Sequence, residues 1–225
     1  MKKPAQLPLA LPFSPVFSRE EFIVSRANAE AFAFVTSWPD WPVSAAAVYG
    51  PSGCGKTHLA SIWREKSGAE LLSASDLSVS AVQYQSPRVI EDVDAAQPTD
   101  ERDSALFTAM QTAGPHAPLL LTGLAPPSQW PCTLPDLTSR FSALPAVALR
   151  APDDSVLGGL AHKLFLDRQL LVPDEVVAHI LMVLERSPAA VRGFVAEADA
   201  AALAEGRPLS LFLVRRLLAS RPRGS

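Results

Sequence analysis

Residues Gly50-Pro51-Ser52-Gly53-Cys54-Gly55-Lys56-Thr57 fit the pattern G-x-x-x-x-G-K-[ST], an arrangement suited to holding phosphate. Its glycines let successive backbone N–H groups turn inward on an anion. Lys56 carries a point charge to the β- and γ-phosphates, and the Thr57 hydroxyl can ligate Mg2+. These residues predict binding of a nucleoside di- or triphosphate. Glu91-Asp92, at the end of the apolar run Val89-Ile90, offers two carboxylates. Acids at such a strand end can hold Mg2+ through its waters, the role given to Glu91, and orient an attacking water, the role given to Asp92. Asp94 is a third acid in the same run. Two arginines complete the set. Arg140 lies in Thr138-Ser139-Arg140-Phe141, where a guanidinium at a subunit boundary could offset charge on a neighbour's γ-phosphate, and Arg192 lies in Ser187-Pro188-Ala189-Ala190-Val191-Arg192-Gly193, near the start of a helix.

These groups need a scaffold that brings distant positions to one place. The phosphate loop follows the apolar run Ala45-Ala46-Ala47-Val48-Tyr49 and precedes Leu59-Ala60-Ser61-Ile62-Trp63, which predicts strand, loop and helix. A helix is expected over 26–38, ended by Pro39-Asp40-Trp41-Pro42, and another over about 101–112. Strands are expected at 70–73, 88–94, 119–122 and 145–150. Strands that alternate with helices predict an α/β fold with a mainly parallel sheet sandwiched by helices. From Pro152 onward the period changes: Val156, Leu160 and Leu164, then Val176, Ile180 and Leu184, then Val191 and Val195 recur at helical spacing, broken near Pro173, Pro188 and Gly206-Arg207-Pro208. A small helical unit is therefore expected over 152–225, after an α/β unit over 18–151. Residues 1–17 hold Pro4, Pro8, Pro12 and Pro15 among leucines and phenylalanines, which forbids a helix and favours an extended arm.

Composition sets limits on function. In 225 residues, 48% are hydrophobic and 19% charged, enough apolar material for a substantial core. A net charge of −3 argues against nucleic-acid binding over the whole surface. No apolar stretch approaches the roughly 18 residues a membrane span requires, and the N-terminus lacks a signal-peptide pattern, so a cytoplasmic protein is expected. Cys54 and Cys132 have neither metal-ligand spacing nor the pattern of a disulfide framework.

Taken in order, these motifs resemble the AAA+ module of the bacterial replication initiator DnaA and, more closely, its short Hda-type homologues. The resemblance covers roughly residues 17–219. Phe22-Ile23-Val24-Ser25-Arg26-Ala27-Asn28 is similar to the segment that folds over adenine in that family, which implies base contacts from Ile23 and Val24. Gly50 to Leu59 resembles its phosphate loop with the trailing His58-Leu59, Ile90-Glu91-Asp92-Val93 its second acidic motif, Ser139-Arg140-Phe141 its arginine-finger box, and Arg192 its second sensor. Leu209 to Leu218 is similar to the last helix of its lid. Gln6-Leu7-Pro8-Leu9-Ala10-Leu11 resembles the motif by which Hda-type proteins dock on the sliding clamp: a glutamine amide pairs with backbone groups while Leu7, Leu9 and Leu11 supply apolar contact from an extended arm.

The resemblance implies an AAA+ P-loop NTPase fold with a helical lid, a bound ADP or ATP with Mg2+, and two protein partners, DnaA and the β subunit of DNA polymerase III. DNA would be reached mainly through the clamp, with no membrane partner, and self-association into a homo-oligomer stays open. The implied activity is stimulation of hydrolysis of DnaA-bound ATP, with Arg140 acting in trans. Two departures from the family pattern predict little turnover by this chain alone: Glu91-Asp92 stands where the initiator has two aspartates, and Thr122 is the single polar candidate for the first sensor. Three other readings remain: a helicase loader of the same superfamily, a DNA-binding protein using Arg215, Arg216, Arg221 and Arg223, and a small-molecule kinase.

Overall fold

The five strands of the sheet are short apolar runs whose faces point to two different cores. In a computed structural model, residues 18–83, 85–206 and 209–220 are described. β1 (Ala45–Tyr49), β2 (Glu70–Ser73), β3 (Arg88–Glu91), β4 (Leu119–Gly123) and β5 (Ala146–Ala148) pair in the order β2-β3-β4-β1-β5, every pair parallel. Along the strands, side chains alternate between faces. Ala47, Ile90 and Leu121 join a core under one face, and Val48, Val89 and Leu120 join a core under the other. The first core is closed by α4 (Asp100–Thr112) and α5 (Pro135–Ala143) through Leu106, Leu137 and Phe141, with the short α3 (Val79–Val82) at its edge. The second is closed by α1 (Ala29–Thr36) and α2 (Lys56–Ser67) through Val35, Leu59 and Trp63. Helices on both faces of a parallel sheet leave its strands buried on both sides, which is why β4 begins with three consecutive leucines and is buried along its whole length.

The remaining helices, α6 (Asp154–Leu166), α7 (Asp174–Val183), α8 (Pro188–Glu205) and α9 (Leu211–Ala219), enclose a core of their own. Leu160, Leu164, Ile180, Val191 and Val195 meet there, as their helical spacing requires. Local chemistry starts three of these helices, α6, α8 and α9. Asp153 accepts from the N–H of Val156 at 3.0 Å, Ser187 from Ala190 at 3.1 Å, and Ser210 from Leu213 at 3.3 Å, each a side-chain cap for an otherwise unpaired donor.

Differences from the sequence expectations are one added short helix, α3, and shifts at element ends. The expected helix over 26–38 is shorter because Asn28 is spent on the preceding turn, its amide accepting from Ser25 N–H at 2.8 Å and donating to the Ile23 carbonyl at 2.9 Å. The strand expected through residue 94 stops at Glu91, because Asp92 turns into the left-handed region with φ 58°.

Candidate functional site

In a parallel sheet the loops that leave the carboxyl ends of neighbouring strands converge, and ligands bind where strand order reverses. Here β1 lies between β4 and β5, so the loop after β1 stands beside those after β3 and β4. A cavity of about 480 Å3 opens between these loops and the helical lid. Ser52 to His58 form one wall, α6 and α8 the opposite one, and Glu21, Phe22, Ile23 and Asn28 lie across the gap.

The phosphate loop is fixed by close backbone approach. At Gly50, with φ 156°, an added Cβ would lie 2.0 Å from the Leu149 carbonyl oxygen, so a larger residue cannot occupy the start of the loop without a shift. Gly55, with φ 107°, delivers the chain into the first turn of α2. Lys56 is buried, and its Nζ donates to the carbonyls of Gly50 at 2.8 Å and Pro51 at 3.2 Å. The ammonium is thereby held over the loop with one hydrogen still to place. Burial pushes the Cys54 thiol above its ordinary range.

Behind the loop, burial raises the pKa of Glu91, against the opposing effect of a hydrogen bond from Thr57. Its Oε1 has no hydrogen-bond partner. Asp92 lines the cavity, whereas Asp94 does not, because its carboxylate accepts from the N–H groups of Leu124 and Ala125 at 2.7 to 2.8 Å and ties the ends of β3 and β4 together. Thr122 is buried, and its hydroxyl accepts from Asp92 N–H at 3.2 Å. Leu124, the residue just after β4, lines the cavity.

Arg192 reaches the cavity from α8, and Pro188 at the start of that helix stands 3.4 Å from the Cβ position of Gly53, so α8 begins against the phosphate loop. Arg192 forms no ion pair among the described residues. His58 donates from Nε2 to the Ser18 carbonyl at 2.8 Å and meets the Phe22 ring edge-on; burial lowers its pKa.

The structure thus brings Ile23, Ser52, Gly53, Cys54, Gly55, Lys56, Thr57, His58, Asp92 and Arg192 to one cavity. Gly50 and Pro51 stand behind it and contribute carbonyls to Lys56. Val24 is not a cavity residue: Ile23 turns inward against the lid, and its neighbour is about half exposed. Glu91 lies behind the wall, in contact with Thr57. Arg140 is outside its own chain's cavity, with its guanidinium 4.5 Å from the Phe107 ring centroid. Gln6, Leu7, Leu9 and Leu11 lie outside the described residues, as do Arg221 and Arg223. Arg216 is ion-paired with Glu205.

Sequence reasoning missed Glu21 and Lys163. Lys163 Nζ donates to Glu21 Oε1 at 2.7 Å and to Asp167 at 3.3 Å. A signal was available, since Leu160, Lys163, Leu164 and Asp167 fall at spacings that put them on one helix face.

Solved structures of similar shape decide the fold. Domain III of the Thermotoga maritima replication initiation protein DnaA superposes with a TM-score of 0.74 at 17% identity, over 93% of this chain and 98% of that one. This chain has the AAA+ P-loop NTPase fold. AMPPCP-bound DnaA from Aquifex aeolicus is similar at a TM-score of 0.64 and 20% identity, over 77% of this chain and 62% of that one. The Thermotoga maritima RuvB Holliday junction branch migration motor is similar at 0.67 and 14% identity, over 91% and 72%. No protein-family profile matches the sequence, and no curated protein does. In AAA+ terms the cavity lies between the α/β core and the helical lid.

Proposed function

We propose that this chain is an adenine-nucleotide-binding AAA+ regulator of chromosomal replication initiation, of the Hda type. The observation that carries the reading is that one cavity is lined both by residues Ser52 to Thr57 of the glycine-rich loop and by Arg192 of α8. Polyphosphate would lie between them. Ile23, Val156 and Leu160 supply an apolar wall suited to a base, and the DnaA structure bound to AMPPCP has the same fold.

Mg2+ fits the residues present. The Thr57 hydroxyl lies beside Glu91, whose Oε1 is buried and unpartnered, and Asp92 faces the cavity. Among the described residues no cluster of three His, Cys, Asp or Glu side chains could hold a metal alone, as suits an ion that takes most of its ligands from phosphate and water. When bound, such an ion neutralises charge between the β- and γ-phosphates. Thr57 would ligate it directly, and Glu91 through water.

Turnover by this chain alone would be slow. Thr122 is committed to the Asp92 backbone, and Leu124 offers no hydrogen bond where a polar side chain would meet the γ-phosphate. Arg140, remote from its own cavity, would act on ATP held by DnaA. Gln6 to Leu11 would dock on the sliding clamp, and the contact with DnaA would then be intramolecular, so two weak contacts would act together. In this reading the protein works in the cytoplasm; no helix among the described residues is long and apolar enough to cross a membrane.

The test is hydrolysis of DnaA-bound ATP measured with clamp, DNA and this protein, each omitted in turn. Stimulation is expected with all three present. Arg140→Ala should lose stimulation while keeping nucleotide and clamp binding, and Gln6→Ala should lose clamp binding alone. Calorimetry that detects neither ADP nor ATP binding in the presence of Mg2+ would refute the reading at its base.

A further inference from the structure

Residues 18–23 run from the α/β core to the lid, and their anchors are also walls of the cavity. The Ser18 carbonyl is held by His58 of α2 at 2.8 Å. Phe22 belongs to the core beneath α1 and α2 and stacks on Phe32 at 5.3 Å, whereas Ile23, the next residue, packs into the lid core. Gly159 makes room for it: a Cβ there would stand 3.2 Å from Ile23 Cδ1. Beside this apolar clasp, Lys163 of α6 donates to Glu21, a partner 142 positions away in the chain, at 2.7 Å. Lys163 also pairs with Asp167, but that contact stays within one helix turn, whereas the contact to Glu21 joins the lid to the segment in front of it.

We propose that the Glu21–Lys163 ion pair is a latch that sets how long a nucleotide stays in the cavity. The proposal rests on reading the cavity as a nucleotide site. The side chains of Lys163 and Glu21 are 32% and 30% exposed, so the pair contributes little to global folding. It is placed where its effect falls on one step. A nucleotide enclosed between loop and lid leaves when the lid moves away from residues 21–23, and that motion breaks the ion pair together with the Ile23 clasp. Entry into a cavity whose lid has already moved away meets no such contact. Loss of the pair therefore changes the dissociation rate and spares association.

The experiment is stopped-flow release of a fluorescent ADP analogue with Mg2+, chased by excess ADP, on the full chain. Glu21→Gln and Lys163→Met should each speed release about two- to fivefold with association unchanged, and the double variant should be no faster than either. Added salt should speed release from the wild-type protein and have less effect on the variants, a screening signature that a merely structural role for these side chains would not give. Equal release rates in wild type and both single variants, or fully additive effects in the double variant, would overturn the latch. A wild-type protein that does not bind the analogue would overturn the nucleotide reading and not the latch within it.

Discussion

The hydroxyl of Thr122 accepts the backbone N–H of Asp92 at 3.2 Å, and the next donor, Val93 N–H, pairs with the Thr122 carbonyl at 2.9 Å. One residue of β4 thus satisfies two consecutive donors where the chain leaves β3, and Asp92 is held in the left-handed conformation with its carboxylate toward the cavity. A polar residue in the position expected of a sensor acts as a splint for the acidic turn.

Thr122→Val removes that acceptor and leaves a half-buried N–H unpaired. The expected loss is about 1–3 kcal/mol of unfolding free energy, read from denaturant midpoints. Phosphate release by the isolated variant should match that of the wild type, since Thr122 does not line the cavity. A large fall in that rate at unchanged stability would return Thr122 to a sensing role.

Gly50→Ala should cost roughly 2–4 kcal/mol, because the new methyl group meets the backbone oxygen of Leu149 and not a side chain that can rotate away. Thermal melting compared with Gly68→Ala separates space from conformation, since Gly68 also has positive φ but nothing within 4 Å of its Cβ position. The Gly50 variant should melt lower.

Arg192→Ala should weaken ADP or ATP binding at least about tenfold in calorimetry, the order expected when a charge-assisted contact to phosphate is lost. Stability should change little, because Arg192 forms no ion pair among the described residues. Unaltered affinity would remove the lid from the phosphate end of the site.

Gly159→Val places a branched side chain against Ile23. The expected result is a lid that docks less well, with a cost of roughly 1–3 kcal/mol and weaker nucleotide binding. Hydrogen exchange should report faster opening across 21–28 and 154–166, while the strands of the sheet keep their protection.

His58 gives a pH dependence of fixed sign. Burial holds its pKa below the ordinary 6.5, with Arg192 and Lys163 acting in the same direction and Glu21 and the Ser18 carbonyl against it. The folded protein therefore binds this proton less readily than the unfolded chain. The stability that results is present above 6.5 and is lost as pH falls through that value toward the folded pKa. Urea unfolding at about pH 7.5 and about pH 5.5 should show the wild type losing more stability than His58→Gln on acidification. Parallel losses in the two proteins would show that other groups carry the effect.

The sequence by itself determined whatever depends on neighbours in the chain. The phosphate loop, its flanking strand and helix, the acids after β3, Arg140 on a short helix and Arg192 near the start of α8 were all legible, because each rests on spacing within about ten residues and on turn or helix chemistry acting over that range. Tertiary structure decided which side chains face the cavity. Ile23 enters the lid core and Val24 does not, Asp94 is spent on the N–H groups of Leu124 and Ala125, and Thr122 is turned to Asp92. Contacts such as Lys163 with Glu21 join positions whose separation along the chain carries no pattern. They exist because a parallel sheet gathers loops from distant strands and a second core brings α6 over them, and no local periodicity encodes that meeting.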